Sequence, residues 1–461
     1  MDISNHGERP GLASRVAAWR LRAEHFIRRQ LLWGNVYRTA SYLKSALWVV
    51  PFAAILLVLM IAPALRVLDG WLGWRLAGLD VSGAQALYET VITLTLSFIV
   101  FTFGSLLVAI QVAGGQLTPR IIATTLLRDN VVRYSVGLFV FTLVFAVMSL
   151  NRLERDRIPE LVAVTTSILG IASMATFLFL IDYAARLLRP VSIVARVANE
   201  GFTVIQSVYP QAVNDAPDTP PSAALPVKAN RIVLHDGSSA ILLAIDLETL
   251  VEEARLCDGV IEVLSQVGDF VSRDEPLFAL HGGASSIDDR KLHATVAFGS
   301  ERTMEQDPIF AFRILVDIAL KALSPAINDP TTAVLAIDQV HRLLRAVGKR
   351  RVHGDDLFDT SGRRRVVYRT PDWQDYVHLA FTEIRACGAG NVQIARRLRA
   401  MLENLFMVLP SHRHAALEDE RRRLDQALEA AYADPEDLLL ARIPDSQGLG
   451  GSSWHKTMKR G

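Results

Sequence analysis

Four stretches without Asp, Glu, Lys, Arg or His dominate the first part of the chain, at 45–65, 90–119, 134–151 and 161–181. They hold 21, 30, 18 and 21 residues, and a helix needs about 20 apolar residues to cross a hydrocarbon core about 30 Å thick. Backbone in lipid must satisfy its own hydrogen bonds, so each stretch is predicted to be a transmembrane helix. Buried helices of a large soluble core are the alternative, but such helices rarely run this long without charge. Ahead of the first stretch, Leu12, Val16, Trp19, Ala23, Phe26 and Ile27 recur at helical spacing, with Arg15, Arg22 and Arg29 elsewhere on the wheel. Residues 1–44 therefore read as a basic amphipathic segment, lying in the headgroup plane or packed on a cytoplasmic domain.

Beyond the four-helix transmembrane domain at 45–190 (spans about 45–66, 90–113, 134–151 and 161–182) the pattern changes. Residues 191–229 read as a helical extension and a linker, with Pro210, Pro217, Pro220, Pro221 and Pro226. Residues 230–300 form a β-rich subdomain in which the run from Val260 to Val267 alternates with period two. Its order of strand, Gly268–Asp269, Phe270–Val271 and Glu275–Pro276–Leu277–Phe278 resembles half of a barrel-sandwich hybrid, but the lysine-bearing hairpin tip of the biotinyl and lipoyl carriers is absent. A further strand is predicted at 293–298. Residues 301–442 read as a helical subdomain carrying a basic hairpin near 349–369, and 443–461 as a disordered tail. Asp307–Pro308 and Asp329–Pro330 each place a capping carboxylate before a first-turn proline. The fold class expected is four transmembrane α-helices followed by a cytoplasmic α+β domain with a small barrel-sandwich-like part.

Charge fixes the orientation. The 1–44 flank and the second loop carry eleven Lys and Arg, the first and third loops five, which puts both termini in the cytoplasm of a bacterial inner membrane. A net charge of +1 over 461 residues gives no basic excess for nucleic acid, and Cys257 and Cys387 are too few for a disulfide framework.

The second span is the polar one. Thr90, Ser97, Gly104 and Gln111 are spaced by seven and form one stripe; Thr95, Thr102 and Gln116 form another on roughly the opposite side. Such residues suit a central packing helix; alternatively, one stripe packs inside the protomer while the other faces a pore made by oligomerisation. Gly114, Gly115 and Pro119 mark a candidate hinge at its end. No ionisable group lies within the four uncharged runs, which argues against a proton-coupled pump or symporter.

Chemistry is sparse elsewhere. The sequence holds no phosphate-binding loop, no His-Glu-x-x-His, no Cys-x-x-Cys and no nucleophile elbow. His412, His414 and Glu418 offer too few ligands on one helical face for zinc. No cofactor, metal or catalytic residue is therefore assigned. Arg313, Asp317 and Lys321 are four apart, as a structural ladder or a ligand-facing stripe. Asn328 and Asp329 crowd a helix start, where capping and anion binding both use such residues. With Arg302 these make a candidate cytoplasmic ligand site at Arg302, Arg313, Asp317, Asn328 and Asp329. The basic runs 349–351 and 363–365 read as contacts for anionic headgroups or as charge protecting an edge strand.

The segment from Gln111 through Gly114–Gly115–Gln116–Leu117–Thr118–Pro119–Arg120, with Arg302, Gln306–Asp307–Pro308 and Ser324–Pro325–Ala326–Ile327–Asn328–Asp329–Pro330–Thr331–Thr332–Ala333, is distinctive. Together they resemble a widespread bacterial family of predicted membrane proteins, a domain of unknown function, over about 48–440. The resemblance implies a membrane protein with a cytoplasmic α+β domain and no assigned reaction. The expected function is a non-enzymatic inner-membrane homo-oligomer in contact with the lipid bilayer, a channel or transport-related protein gated by its cytoplasmic domain. The alternative is a membrane-anchored sensor or scaffold.

Overall fold

The computed structural model describes Trp33, Tyr37, Leu43 and residues 46–450, except 73–77, 79, 117–128, 154–158, 188, 214–227 and 353–355. The basic amphipathic segment expected ahead of the first span lies almost wholly outside the described residues, as do Pro119, most of the proline-rich linker and 451–461. Two units interleave along the chain. A β-rich unit comprises Ser207–Phe310 and Arg350–Asp372 with Trp33 and Tyr37; a helical unit comprises Tyr42–Gln206, Ala311–Lys349 and Trp373–Gly461.

In the helical unit α1 (Val49–Leu72), α2 (Val81–Gln116), α3 (Asn130–Leu150) and α4 (Glu160–Leu187) are long and apolar enough to cross a membrane. They overrun the uncharged runs, because ionisable groups at the ends find partners. Arg66 donates to the Met148 carbonyl, and Asp69 accepts from Leu161 N at 2.7 Å, covering an open amide of α4.

The centre of the bundle is α3, which packs on α1, α2 and α4, not the polar α2. Size decides this: a Cβ on Gly137 would stand 2.7 Å from Val50 Cγ1, so only a residue without one admits α1 so closely. Phe139, Phe145 and Ala146 are fully buried on the same helix, and Thr142 and Ser173 share a buried 3.0 Å hydrogen bond between α3 and α4.

After the bundle come α5 (Pro190–Val208), α8 (Pro308–Leu323), α9 (Pro330–Gly348), α10 (Trp373–Gly388), α11 (Val392–Val408), α12 (His414–Ala431) and α13 (Pro435–Arg442). Gly201 of α5 meets Ala311 of α8 so closely that a Cβ would lie 2.5 Å away. Arg342 of α9 donates to Asn199 at 2.8 Å and sits 5.3 Å over the Phe202 ring. Residues 443–450, expected to be disordered, are fastened instead. Arg396, fully buried, donates to the carbonyls of Ile443 (3.0 Å) and Gly450 (2.6 Å), and Asp445 accepts from Gln447 N and Gly450 N.

Among the described residues the β-rich unit contains two sheets around one core. The larger runs β1 (Arg231–Leu234), β5 (Pro276–Gly282), β3 (Gly259–Val263), β8 (Arg364–Tyr368), β7 (Asp356–Phe358); the smaller runs β4 (Phe270–Val271), β2 (Ala240–Ile245), β6 (Val296–Gly299). Val233, Ile261, Phe278 and Val366 of one meet Leu242, Ile245, Val271 and Val296 of the other. The sheets stay open rather than closing into a barrel. This unit also holds α6 (Leu247–Leu256) and the single turn α7 (Asp289–His293). The latter replaces the start of the strand expected at 293–298, because the Asp288 carboxylate caps it through Arg290 N.

The basic hairpin extends the larger sheet instead of belonging with the helices: β8 pairs in parallel with β3, Ile261 opposite Val366. Asp359 shapes its turn by accepting from Ser361 N at 2.8 Å and Arg363 N at 3.0 Å. The arginines of the 363–365 run pair with protein carboxylates: Arg363 and Arg365 with Asp258, Arg364 with Asp356, Arg365 also with Asp359. β7, not the arginine-rich strand, is the edge.

Candidate functional site: the outward face of the second transmembrane helix

Helix α2 has two polar stripes, and the bundle treats them oppositely. Thr95 and Thr102 are 1% and 4% exposed, packed inward against the other helices. Thr90, Ser97, Gly104 and Gln111 all lie on the exposed surface. Thr90 Oγ1 donates to the Ala86 carbonyl at 2.7 Å and Ser97 Oγ to the Thr93 carbonyl at 2.8 Å. These hydroxyls thus satisfy themselves within the helix, so at Thr90 and Ser97 the stripe can face lipid or another helix without an orphaned hydroxyl. Nothing lies within 4 Å of where a Gly104 Cβ would be, so the surface there is a shallow notch flanked by Phe101, Phe103 and Leu107. Gln111 brings a carboxamide to the same face. The helix continues unbroken through Gly114 and Gly115 to Gln116.

The residues singled out in the second half of the chain are placed in both units, and each is engaged by neighbours. In the β-rich unit Arg302 pairs with Asp307 and lies 5.3 Å over the Phe310 ring. Asp307 is 3% exposed and accepts from Phe310 N at 3.2 Å, capping α8. Burial pushes its carboxyl above the usual carboxylate range, and the Arg302 guanidinium offsets only part of that. Gly268, with φ +99°, leaves room for Arg302: a Cβ there would be 2.5 Å from the guanidinium. Gln306 Oε1 accepts from Ile245 N at 3.0 Å. The Arg302…Gln306–Asp307–Pro308 motif is therefore a clamp that, within the β-rich unit, fixes the segment 302–310 to the β2 end and the β3–β4 turn.

In the helical unit Arg313 holds Asp317 at 2.7 Å and Glu383 of α10 through two bonds of 3.0 and 2.7 Å. These bonds hold the Glu383 carboxyl below its ordinary range. Asp329 caps α9 by accepting from Thr332 N at 3.0 Å, and Asn328 makes the turn before it at φ +48°.

A node that sequence reasoning passed over joins the bundle to α5. Asp129 caps α3 through Val131 N at 2.9 Å and also accepts from Tyr183 of α4 and Arg196 of α5. The cap was legible in Asp129 before Asn130; its two partners, 54 and 67 residues away, were not.

A family model described as "Predicted membrane protein (DUF2254)" matches residues 44–404. Uncharacterized proteins of Mycobacterium bovis and Mycobacterium tuberculosis are each 25% identical over 420 residues, covering 86% of this chain and 79% of theirs. No solved structure matches.

Proposed function

The chain belongs to this family of predicted membrane proteins, and from that premise we propose that it is a multi-pass protein of the bacterial inner membrane whose protomers associate through the outward stripe of α2. Thr90, Ser97, Gly104 and Gln111 then border a narrow polar path for a small solute or ion. One observation carries the reading: Thr95 and Thr102 of the inward stripe are buried inside the bundle, while Thr90, Ser97 and Gln111 of its counterpart remain on the surface. Small and hydroxyl residues allow close helix approach, and rings of such groups line pores. The excess of Lys and Arg in the 1–44 flank and second loop supports cytoplasmic termini. The Asp129–Arg196 link, and α5 packing on α8 and α9, supply a mechanical route by which the cytoplasmic helices act on the spans.

Single cysteines at Ser97 and Gly104, in a chain lacking Cys257 and Cys387, test this. Disulfide cross-linking between protomers in native membranes is expected at both positions and not at Ile171 on α4, and proteoliposomes should release small ions. A protein that is monomeric in membranes and carries no flux would refute the proposal. A membrane-anchored sensor is the second reading, favoured by a cavity in the β-rich unit.

A further inference from the structure

We infer that the β-rich unit holds a binding site for a small organic cation, an amine or quaternary ammonium. A cavity of about 460 Å³ opens where the start of α6, the β3–β4 turn, the segment before α8 and the chain after β8 converge. That volume falls in the range of small-molecule sites, roughly 300–1,000 Å³. Among the described residues Trp33, Tyr209 and Tyr368 line it with aromatic side chains, together with the carboxylates of Asp246, Glu248 and Asp307. Aromatic faces carry negative quadrupole potential and attract cations, most strongly where water is excluded.

The carboxylates play different parts. Asp246 is committed to capping α6 through Thr249 N (3.2 Å) and Thr249 Oγ1 (2.8 Å). Asp307 is committed to Arg302 and Phe310 N. Glu248 is exposed at the mouth, beside the start of α6. Arg369, also exposed, is the basic residue among the described lining. An anion entering here would meet one basic side chain among acidic ones, whereas an ammonium group meets rings and carboxylates together.

Two of the converging segments are held before any ligand arrives, by the Arg302–Asp307 clamp and the Gln306–Ile245 bond. Segments so held lose little ordering entropy on binding. The site goes beyond the transmembrane contact and stands apart from it: a protein that conducts nothing can still bind an ammonium ion.

The test is calorimetric titration of the full-length chain in phosphatidylglycerol nanodiscs, which contain no amine headgroup. Choline should bind saturably. Its neutral isostere 3,3-dimethylbutan-1-ol should bind at least about tenfold more weakly, since the charge–ring and charge–carboxylate terms are gone. Glu248→Gln should weaken choline about fivefold, Tyr368→Leu about tenfold, and Tyr368→Phe less than either loss, because the ring face is kept. Repeating the titration in phosphatidylethanolamine discs identifies the source. Loss of choline binding there marks a lipid ammonium headgroup as the resident cation, and unchanged binding marks a soluble amine. Equal affinity for the isostere, preferential binding of inorganic phosphate, no saturable heat with choline, or unchanged binding in both Glu248→Gln and Tyr368→Leu would overturn the inference.

Discussion

Arg196 Nη1 lies 2.6 Å from Asp129 Oδ2, and the Tyr183 hydroxyl donates to the same oxygen. The carboxylate also caps α3 through Val131 N and Val132 N. One side chain thus ties the start of α3 to the end of α4 and to the helix that leaves the bundle. Its side chain is only 3% exposed, against 33% for Arg196. Burial opposes the charge on Asp129, but the bonds from Tyr183 and Arg196 outweigh it and hold the carboxyl below its ordinary range.

Removing the acid should therefore hurt more than removing the base. Asp129→Ala leaves a half-buried guanidinium and two helix amides without their partner and is expected to cost about 3 kcal/mol, whereas Arg196→Gln should cost about 1–2 kcal/mol. Reversing the pair, Asp129→Arg with Arg196→Asp, should recover little, since arginine cannot accept from Val131 N. A depressed carboxylate stabilises the fold above its unfolded pKa of about 3.9 and loses that contribution as pH falls through the lower folded value. Thermal unfolding in detergent should show a wild-type advantage over Asp129→Ala that is flat from pH 5 to 8 and shrinks only below about pH 4.

Glycines separate the two faces of the bundle. At Gly104 a Cβ meets nothing, whereas at Gly137 it meets Val50 Cγ1 at 2.7 Å and at Gly170 Val91 Cγ2 at 3.0 Å. Gly104→Ala should leave the protomer's melting temperature unchanged or slightly raised, as helical glycine costs about 1 kcal/mol relative to alanine. Gly137→Val should lower stability by about 1–3 kcal/mol through overpacking against α1. Gly104→Trp then probes association alone: it should abolish cross-linking between protomers while monomer melting is retained.

How much of this could be read from the chain varies with the range of the contact. The four spans and the capped starts of α8 and α9 were legible, because each rests on composition or on spacing within a few residues. What failed was long range. The run at 363–365 looks the same whether it guards an edge or lies inside a sheet, and only pairing with β3, a hundred residues earlier, decides that it lies inside. Residues 443–450 lack periodicity, and their order comes from buried Arg396 on another helix. Polarity pointed to α2 as the central helix, whereas close approach at Gly137 placed α3 there. Among the candidate ligand residues the short-range partners were legible, as in Asp317 four residues from Arg313, but not the distant one: Glu383, which also engages Arg313, lies 70 residues away.

The clamp in the β-rich unit should be sensitive at its glycine. Gly268 combines φ +99° with a guanidinium 2.5 Å from its missing Cβ, so Gly268→Ala meets both backbone strain and a displaced Arg302. A loss of about 2 kcal/mol is expected, seen as a lower denaturant midpoint. Arg302→Lys should also destabilise, because an ammonium cannot bond Asp307 and stack on Phe310 in the same plane.

His341 supplies a second, separable pH dependence. Its Nδ1 accepts from Arg397 Nη2 at 3.0 Å and its Nε2 faces Asn404 Oδ1 at 2.9 Å, an arrangement that fits the neutral ring. Burial, and then the Arg397 charge, lower its pKa to about 4. Above the unfolded value of about 6.5 both states are neutral and stability does not respond to this group. Below it the unfolded chain binds a proton that the fold refuses, so stability falls by about 1.4 kcal/mol per pH unit until the folded ring titrates near pH 4, about 3 kcal/mol in all. His341→Gln keeps a hydrogen-bonding side chain without the titration. Its unfolding free energy between pH 7 and 4.5 should be flatter than wild type by about that slope, which is a different window from the loss assigned to Asp129. Parallel curves for the two proteins across that range would show that His341 is not neutral in the fold.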